Sequence, residues 1–124
     1  MSEKKKDNLD FDIEDLLVVY VSSNENVAHI NQKACEVLGY QKGEVVGKNW
    51  FDNFVPQDGR KEMRMSFHQL LDGTYRRGHW ERRVLTKAGQ ERMIGWHTLP
   101  VKNENGVFSE AVFSGQDITD RKLV

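Results

Sequence analysis

The segment Phe113-Ser114-Gly115-Gln116-Asp117-Ile118-Thr119-Asp120-Arg121-Lys122 (FSGQDITDRK) reads as a strand that turns into the opening of a helix. Side chains alternate along a strand, so Asp117 and Thr119 lie on the side opposite Ile118 and are placed to hydrogen-bond where the strand ends. Thr119 is a natural N-cap, and Asp120 puts negative charge in the first turn of the helix that follows. The segment therefore reads as a connector leaving a sheet, and the sheet has to be supplied by the chain before it.

Working back from it, Phe108 to Gln116 forms one strand, and Asn103-Glu104-Asn105-Gly106 is the turn that precedes it. Glu91 to Val101 and His79 to Thr86 are two further strand-like runs around the short loop Lys87-Ala88-Gly89-Gln90, which makes them a long antiparallel pair. Near the start, Leu17 to Val21 is β-branched and aromatic. The turn Ser23-Asn24-Glu25-Asn26 returns it to a second strand, Val27 to Ile30. Between the two groups of strands the apolar period changes. Asn31 caps a short helix from Gln32 to Leu38 that Gly39 ends, and Val45, Val46 and Gly47 suggest another helical turn. Trp50, Phe51 and Phe54 are too closely spaced for a solvated loop and must enter the core. Asp58 is expected to cap a longer helix from about Gly59 to Leu71, with Met63, Phe67, Leu70 and Leu71 on one face and Asp72-Gly73 closing it. Two strands, several helices and three strands predict an α+β domain with helices on one face of an antiparallel sheet.

Composition narrows the function classes. The 124 residues are 38% hydrophobic and 30% charged, enough for one core. Eighteen Lys and Arg against nineteen Asp and Glu give a net charge of −1, which offers no global attraction to nucleic acid or anionic lipid. Arg76-Arg77 and Arg82-Arg83 flank Trp80, but Glu81 interrupts them. They read as a solvated sheet edge pairing across to Glu91, so no nucleic-acid contact is expected. With no apolar run long enough to span a membrane and no signal-like segment, the chain reads as cytoplasmic without membrane contact, and the single cysteine, Cys35, agrees with a reducing compartment. His29, His68, His79 and His97 are scattered, Cys35 has no cysteine partner, and no nucleophile elbow, P-loop, zinc or dinucleotide motif occurs. No metal site is expected, and the chain is read as a regulatory domain rather than an enzyme.

The order of elements, with Asn31-Gln32-Lys33-Ala34 before Leu38-Gly39-Tyr40, Val46-Gly47, Trp50-Phe51 to Val55-Pro56, Leu85-Thr86-Lys87-Ala88-Gly89, and above all Asp117-Ile118-Thr119 before Asp120-Arg121-Lys122, resembles a PAS domain. The resemblance implies a five-stranded antiparallel sheet in the order 2-1-5-4-3, helices enclosing a cavity on one face, and a sensory or dimerising role in a larger signalling protein. It places a flanking segment over residues 1–15, helical in one reading, the PAS domain over 16–119 and the start of a linker helix over 120–124. The implied effector is a sensor histidine kinase, with a diguanylate cyclase as the alternative.

For cofactors, the flavin-binding LOV branch uses a cysteine in an Asn-Cys-Arg-Phe motif. The corresponding stretch here, Gly47-Lys48-Asn49-Trp50-Phe51, keeps the asparagine and has Trp50 at the cysteine position, which rules out that adduct. Haem-binding relatives use a histidine on the long helix, near Met63 in this chain. His68 follows Phe67 directly and so points about 100° away from it, and haem is not expected. The resemblance turns Trp80, Val84, Ile94, Trp96, Thr98, Phe113 and Gly115 toward the helices, where Trp50, Phe54, Met63 and Phe67 meet them. Two readings follow: these rings simply fill the core, or they line a pocket for a small flat or apolar molecule with Asn49, Thr98 and Arg82 as polar anchors. By the same resemblance Asp117, Ile118, Thr119 and Asp120 relay the signal to the linker. Homodimerisation is expected, with Leu9, Phe11, Ile13 and Leu16 available to cover the outer face of the sheet or a second copy.

Overall fold

The computed structural model of the protein describes residues 15–74 and 78–123. The strands are β1 (Leu17–Ser22), β2 (Val27–Ile30), β3 (Gly78–Leu85), β4 (Glu91–Lys102) and β5 (Phe108–Asp117). They form one antiparallel sheet in the order β2-β1-β5-β4-β3, the order that the resemblance implies. Helices α1 (Gln32–Leu38), α2 (Lys42–Val45), α3 (Trp50–Phe54) and α4 (Arg60–Asp72) lie between β2 and β3 in the chain, and α5 (Thr119–Leu123) follows β5. Arg76, Arg77 and the apolar residues Leu9, Phe11 and Ile13 lie outside the described residues.

Local chemistry explains most of the boundaries. Asn31 caps α1 by accepting from the amide of Ala34, and Gly39 ends the helix in the left-handed conformation at φ 82°. The Asn31 side chain is fully buried and also binds β1. Its Oδ1 accepts from the Val18 amide at 3.0 Å, and its Nδ2 donates to the Leu16 carbonyl at 2.7 Å. One amide thus holds strand and helix together while satisfying three backbone groups, each bond worth about 1 kcal/mol net. Helix α4 departs from the sequence expectation. Asp58 does not cap it; Gly59 occupies the cap position at φ 87°, with no side-chain cap. Only glycine takes that conformation without strain, and it sets the angle at which the chain enters α4.

The core lies between the sheet and the helices. Trp50, Phe51 and Phe54 are fully buried, as expected, and Trp50 meets Trp96 of β4 and Phe113 of β5 with ring centroids 6.2 Å away in each case. Phe113 in turn meets Trp96 at 5.9 Å and Phe67 of α4 at 6.2 Å. These edge-on and tilted contacts join α3, α4, β4 and β5 in one aromatic cluster. Gly115 makes room for it. A Cβ there would stand 2.6 Å from the Gly95 carbonyl oxygen and 2.9 Å from both Ile94 Cγ2 and Trp96 Cε3. We expect Gly115→Ala to lower stability by about 1–3 kcal/mol through overpacking, read as a lower urea midpoint at constant m-value; an unchanged midpoint would show that the β4–β5 pair has slack.

Candidate functional site

Strand alternation carries Trp80 and Arg82 of β3, Trp96 and Thr98 of β4 and Phe113 of β5 to the helix side, where α4 lies across them. Helical spacing sends Met63, Ser66, Phe67 and Leu70 of α4 down toward the strands. Together these nine residues line an apolar crevice under α4. Its free volume is about 30 Å³, the room for roughly one water molecule, so the rings pack almost completely. Trp80 donates from its indole nitrogen to Thr98 Oγ1 at 3.3 Å, and the ring lies over Gly78 where a Cβ would collide with it. The buried indole nitrogens of Trp50 and Trp96 are different: neither has a hydrogen-bond acceptor among the described residues. An orphaned buried donor costs about 1–3 kcal/mol, so the aromatic cluster retains two groups that an acceptor would relieve.

Of the residues expected at a pocket, Met63, Phe67, Trp80, Arg82, Trp96, Thr98 and Phe113 come together at the crevice. Trp50, Phe54, Ile94 and Gly115 are buried behind it in the core. Asn49 lies elsewhere: it caps α3 by accepting from the Asp52 amide and donates to Glu25 at 3.1 Å. Ser66 and Leu70 complete the lining, and the α4 period that exposes Met63 and Phe67 to the crevice marks both of them.

A second cluster, which the sequence reading did not find, clamps α4 to the β1–β2 turn. Glu25 sits in that turn at φ 76°, with its side chain 16% exposed. Its carboxylate takes His68 Nε2 at 2.7 Å, Arg64 Nε at 3.0 Å and Asn49 Nδ2 at 3.1 Å, and its carbonyl accepts from the Trp50 amide. Arg64 also reaches Asp52 at 2.8 Å. His68 thus points away from the core, as the helical angle predicts, and is engaged by a carboxylate. Burial pushes the Glu25 carboxyl up, but the hydrogen bonds from His68 and Asn49, with the Arg64 charge, outweigh it and hold the group below the usual carboxylate range. The available signal was the i, i+4 spacing of Arg64 and His68, which puts both on one face of α4.

The exit of the sheet forms the third arrangement. The Thr119 hydroxyl donates to Asp117 Oδ1 at 2.6 Å and accepts from the Met93 amide of β4 at 2.8 Å. The Ile118 amide donates to the Met93 carbonyl at 2.8 Å, and Arg92 Nε donates to Asp117 Oδ2 at 2.8 Å. Burial raises the Asp117 carboxyl, yet the bonds from Thr119 and Arg92 bring it below its ordinary value. Ile118 is buried and approaches Gly95 on the outer face. Thr119 was expected to cap the last helix. It is instead that helix's first residue, and its hydroxyl joins the helix to β4 by accepting from the Met93 amide. Asp120 lies exposed in the first turn.

The outer face of the sheet carries cross-strand rows. Leu99, Val112, Tyr20 and His29 lie opposite one another in succession, and His79 and His97 stack with ring centroids 4.5 Å apart. Leu16 lines a groove on this face beside those histidines, Ile118 and Arg121. At the β3–β4 edge Arg83 pairs with Glu91 at 3.5 Å, as the charge pattern predicts. Among the described residues no group of three or more His, Cys, Asp or Glu is placed to hold a metal, and no helix is long and apolar enough to cross a membrane.

A family model described as the PAS fold matches residues 15–118. Among solved structures, the chain is similar to the PAS domain of a protein from Colwellia psychrerythraea, with TM-score 0.85, 19% identity, and coverage of 98% of this chain and 100% of that one. It is similar to the PAS domain of an HTR-like protein from Haloarcula marismortui, with TM-score 0.75, 18% identity, and coverage of 94% and 92%. It is also similar to the PAS domain of the Cronobacter turicensis RpfR quorum-sensing receptor in complex with BDSF, with TM-score 0.71, 20% identity, and coverage of 86% and 97%. No curated protein matches the chain by sequence.

Lowered carboxyl pKa values give a definite sign to the pH dependence. A carboxylate depressed by folding adds stability that is present above its unfolded value, near 4.5 for Glu25, and is lost as pH falls through the lower folded value. Urea midpoints at pH 7 and pH 3.5 should therefore fall less for Glu25→Gln than for the parent chain. Equal falls would remove Glu25 as a contributor to acid sensitivity.

Proposed function

Because this chain belongs to the PAS family, we propose that it is the sensory module of a larger signalling protein, relaying occupancy of the crevice under α4 through β4 to α5 and an effector beyond it. The observation that carries this reading is the Thr119 hydroxyl bridging Asp117 and the Met93 amide. Met93 is three residues from Trp96 on the same strand, roughly 10 Å along β4, so a shift of the crevice wall moves the acceptor network that sets where α5 begins. Two arrangements of that junction, biased by ligand, suffice for a population shift. The effector is a histidine kinase, with a diguanylate cyclase as the alternative. The Cronobacter turicensis domain in complex with BDSF supports a small-molecule input by analogy. No haem or LOV-type flavin is assigned; Trp50, which the resemblance aligns with the adduct cysteine, is buried.

The crevice volume of about 30 Å³ favours a second reading, a ligand-free interaction module whose core is already filled. The two readings separate on Thr119→Val. Under the relay reading, hydrogen exchange at the Met93 amide accelerates about tenfold, equivalent to about 1.4 kcal/mol, and signal-dependent output is lost from the parent protein. Thr119→Ser keeps both properties. Retained signal dependence in Thr119→Val would sink the relay.

PAS domains commonly dimerise, and the outer face offers the surface here, with Leu99 47% exposed beside Val112 and Tyr20. Leu16 lies in the groove on that face. Light scattering should show a dimer that Leu99→Asp converts to monomer; an unaffected dimer would place the interface elsewhere.

A further inference from the structure

On β3, an edge strand, Trp80, Arg82 and Val84 face the helices while His79, Glu81 and Arg83 face outward. Arg82 is therefore a cation between half-buried Trp80 and buried Val84 on the helix-facing side of the strand, and such a residue calls for an explanation. Arg64, Arg83 and Arg92 each hold a carboxylate. Among the described residues Arg82 has no ion pair; it donates to the carbonyl of its neighbour Glu81 at 3.0 Å and lies 5.5 Å from the centre of the Trp80 ring.

Its place is a doorway. Arg82 and Met63 line both the small crevice and a larger groove of about 490 Å³ outside it, where Asp58 and Glu62 stand exposed without pairing with Arg82. Met63 is unbranched and adaptable, and it lines the groove as well as the crevice. Behind the doorway Trp96 keeps an indole N–H without an acceptor, and the walls are aromatic. A guanidinium at the mouth matches the two oxygens of a carboxylate, and the aromatic walls suit a ring that enters only as α4 gives way, because the crevice holds about 30 Å³ when closed.

Resting on the ligand-sensing reading above, we propose that Arg82 anchors the ligand and that the ligand is a small aromatic carboxylate whose ring enters the crevice past Met63. The carboxylate takes the Arg82 donors, and the ring packs against the aromatic walls. Long-chain acids are disfavoured because the walls are ring faces around an enclosed volume of about 30 Å³.

The test is an NMR titration of the protein with indole-3-acetate, indole-3-acetamide, benzoate, benzamide, dodecanoate and dodecanol, on the parent chain, Arg82→Gln and Arg83→Gln. The amide spectrum of each variant reports its fold. The expected result is that at least one aromatic acid binds at least tenfold more tightly than its neutral amide, that Arg82→Gln abolishes this preference, and that Arg83→Gln leaves it intact. Equal binding of acid and amide, or a preference that survives Arg82→Gln, overturns the anchor while leaving ligand sensing in place. Tighter binding of dodecanoate than of either aromatic acid overturns the flat ligand alone. Failure of every compound to bind overturns this proposal and counts against ligand sensing as well.

Discussion

The packing of Trp96 against Phe113 over the side-chain-free Gly115 is the constraint on which the other parts depend. It lets β4 and β5 pair closely while a large ring occupies the space above them, and it brings Trp50 and Phe67 into the same cluster from the helix side. The filled interior follows, because four large rings leave little room between sheet and helices. So does the continuity of crevice and exit: Trp96 and Met93 share one strand, which the rings hold at its middle and Thr119 near its start.

Polar groups fasten parts of this packed unit at defined points. Asn31 fastens the first helix to β1 through buried hydrogen bonds, and Glu25 fastens α4 to the β1–β2 turn through Arg64 and His68. The Glu25 clamp holds the side of α4 that faces the turn. The opposite side, with Met63 and Ser66, faces β3 across the crevice and has no comparable ion pair among the described residues. Motion of α4 on the β3 side therefore costs fewer strong interactions than motion at the clamp.

Residues fixed by local chemistry were legible in the chain. Asn31 and Gly39 bound a helix where their cap preferences put them, Trp50, Phe51 and Phe54 are core, and alternation on β3 to β5 assigns the inward side chains. Asp58 shows the limit: its cap propensity is real, but the left-handed Gly59 sets the entry to α4. Asn49 shows another, because an amide beside Trp50 suits a pocket anchor by type and is taken instead by α3 and Glu25. Thr119 has the right chemistry for a cap, but the helix begins at Thr119 itself, and its hydroxyl is shared between Asp117 and the amide of Met93, distant in sequence.

The sequence by itself determined the α+β class, the sheet order through its family pattern, and the alternation that aims side chains inward, since these follow from periods and turn residues acting over a few positions. Tertiary structure alone decided that the aromatic interior is nearly full, that Glu25 meets Arg64 and His68, and that Arg92 and Met93 receive the exit of β5. Those outcomes depend on the volumes and distances of groups that the chain brings together from dozens of residues apart, and no local preference encodes them.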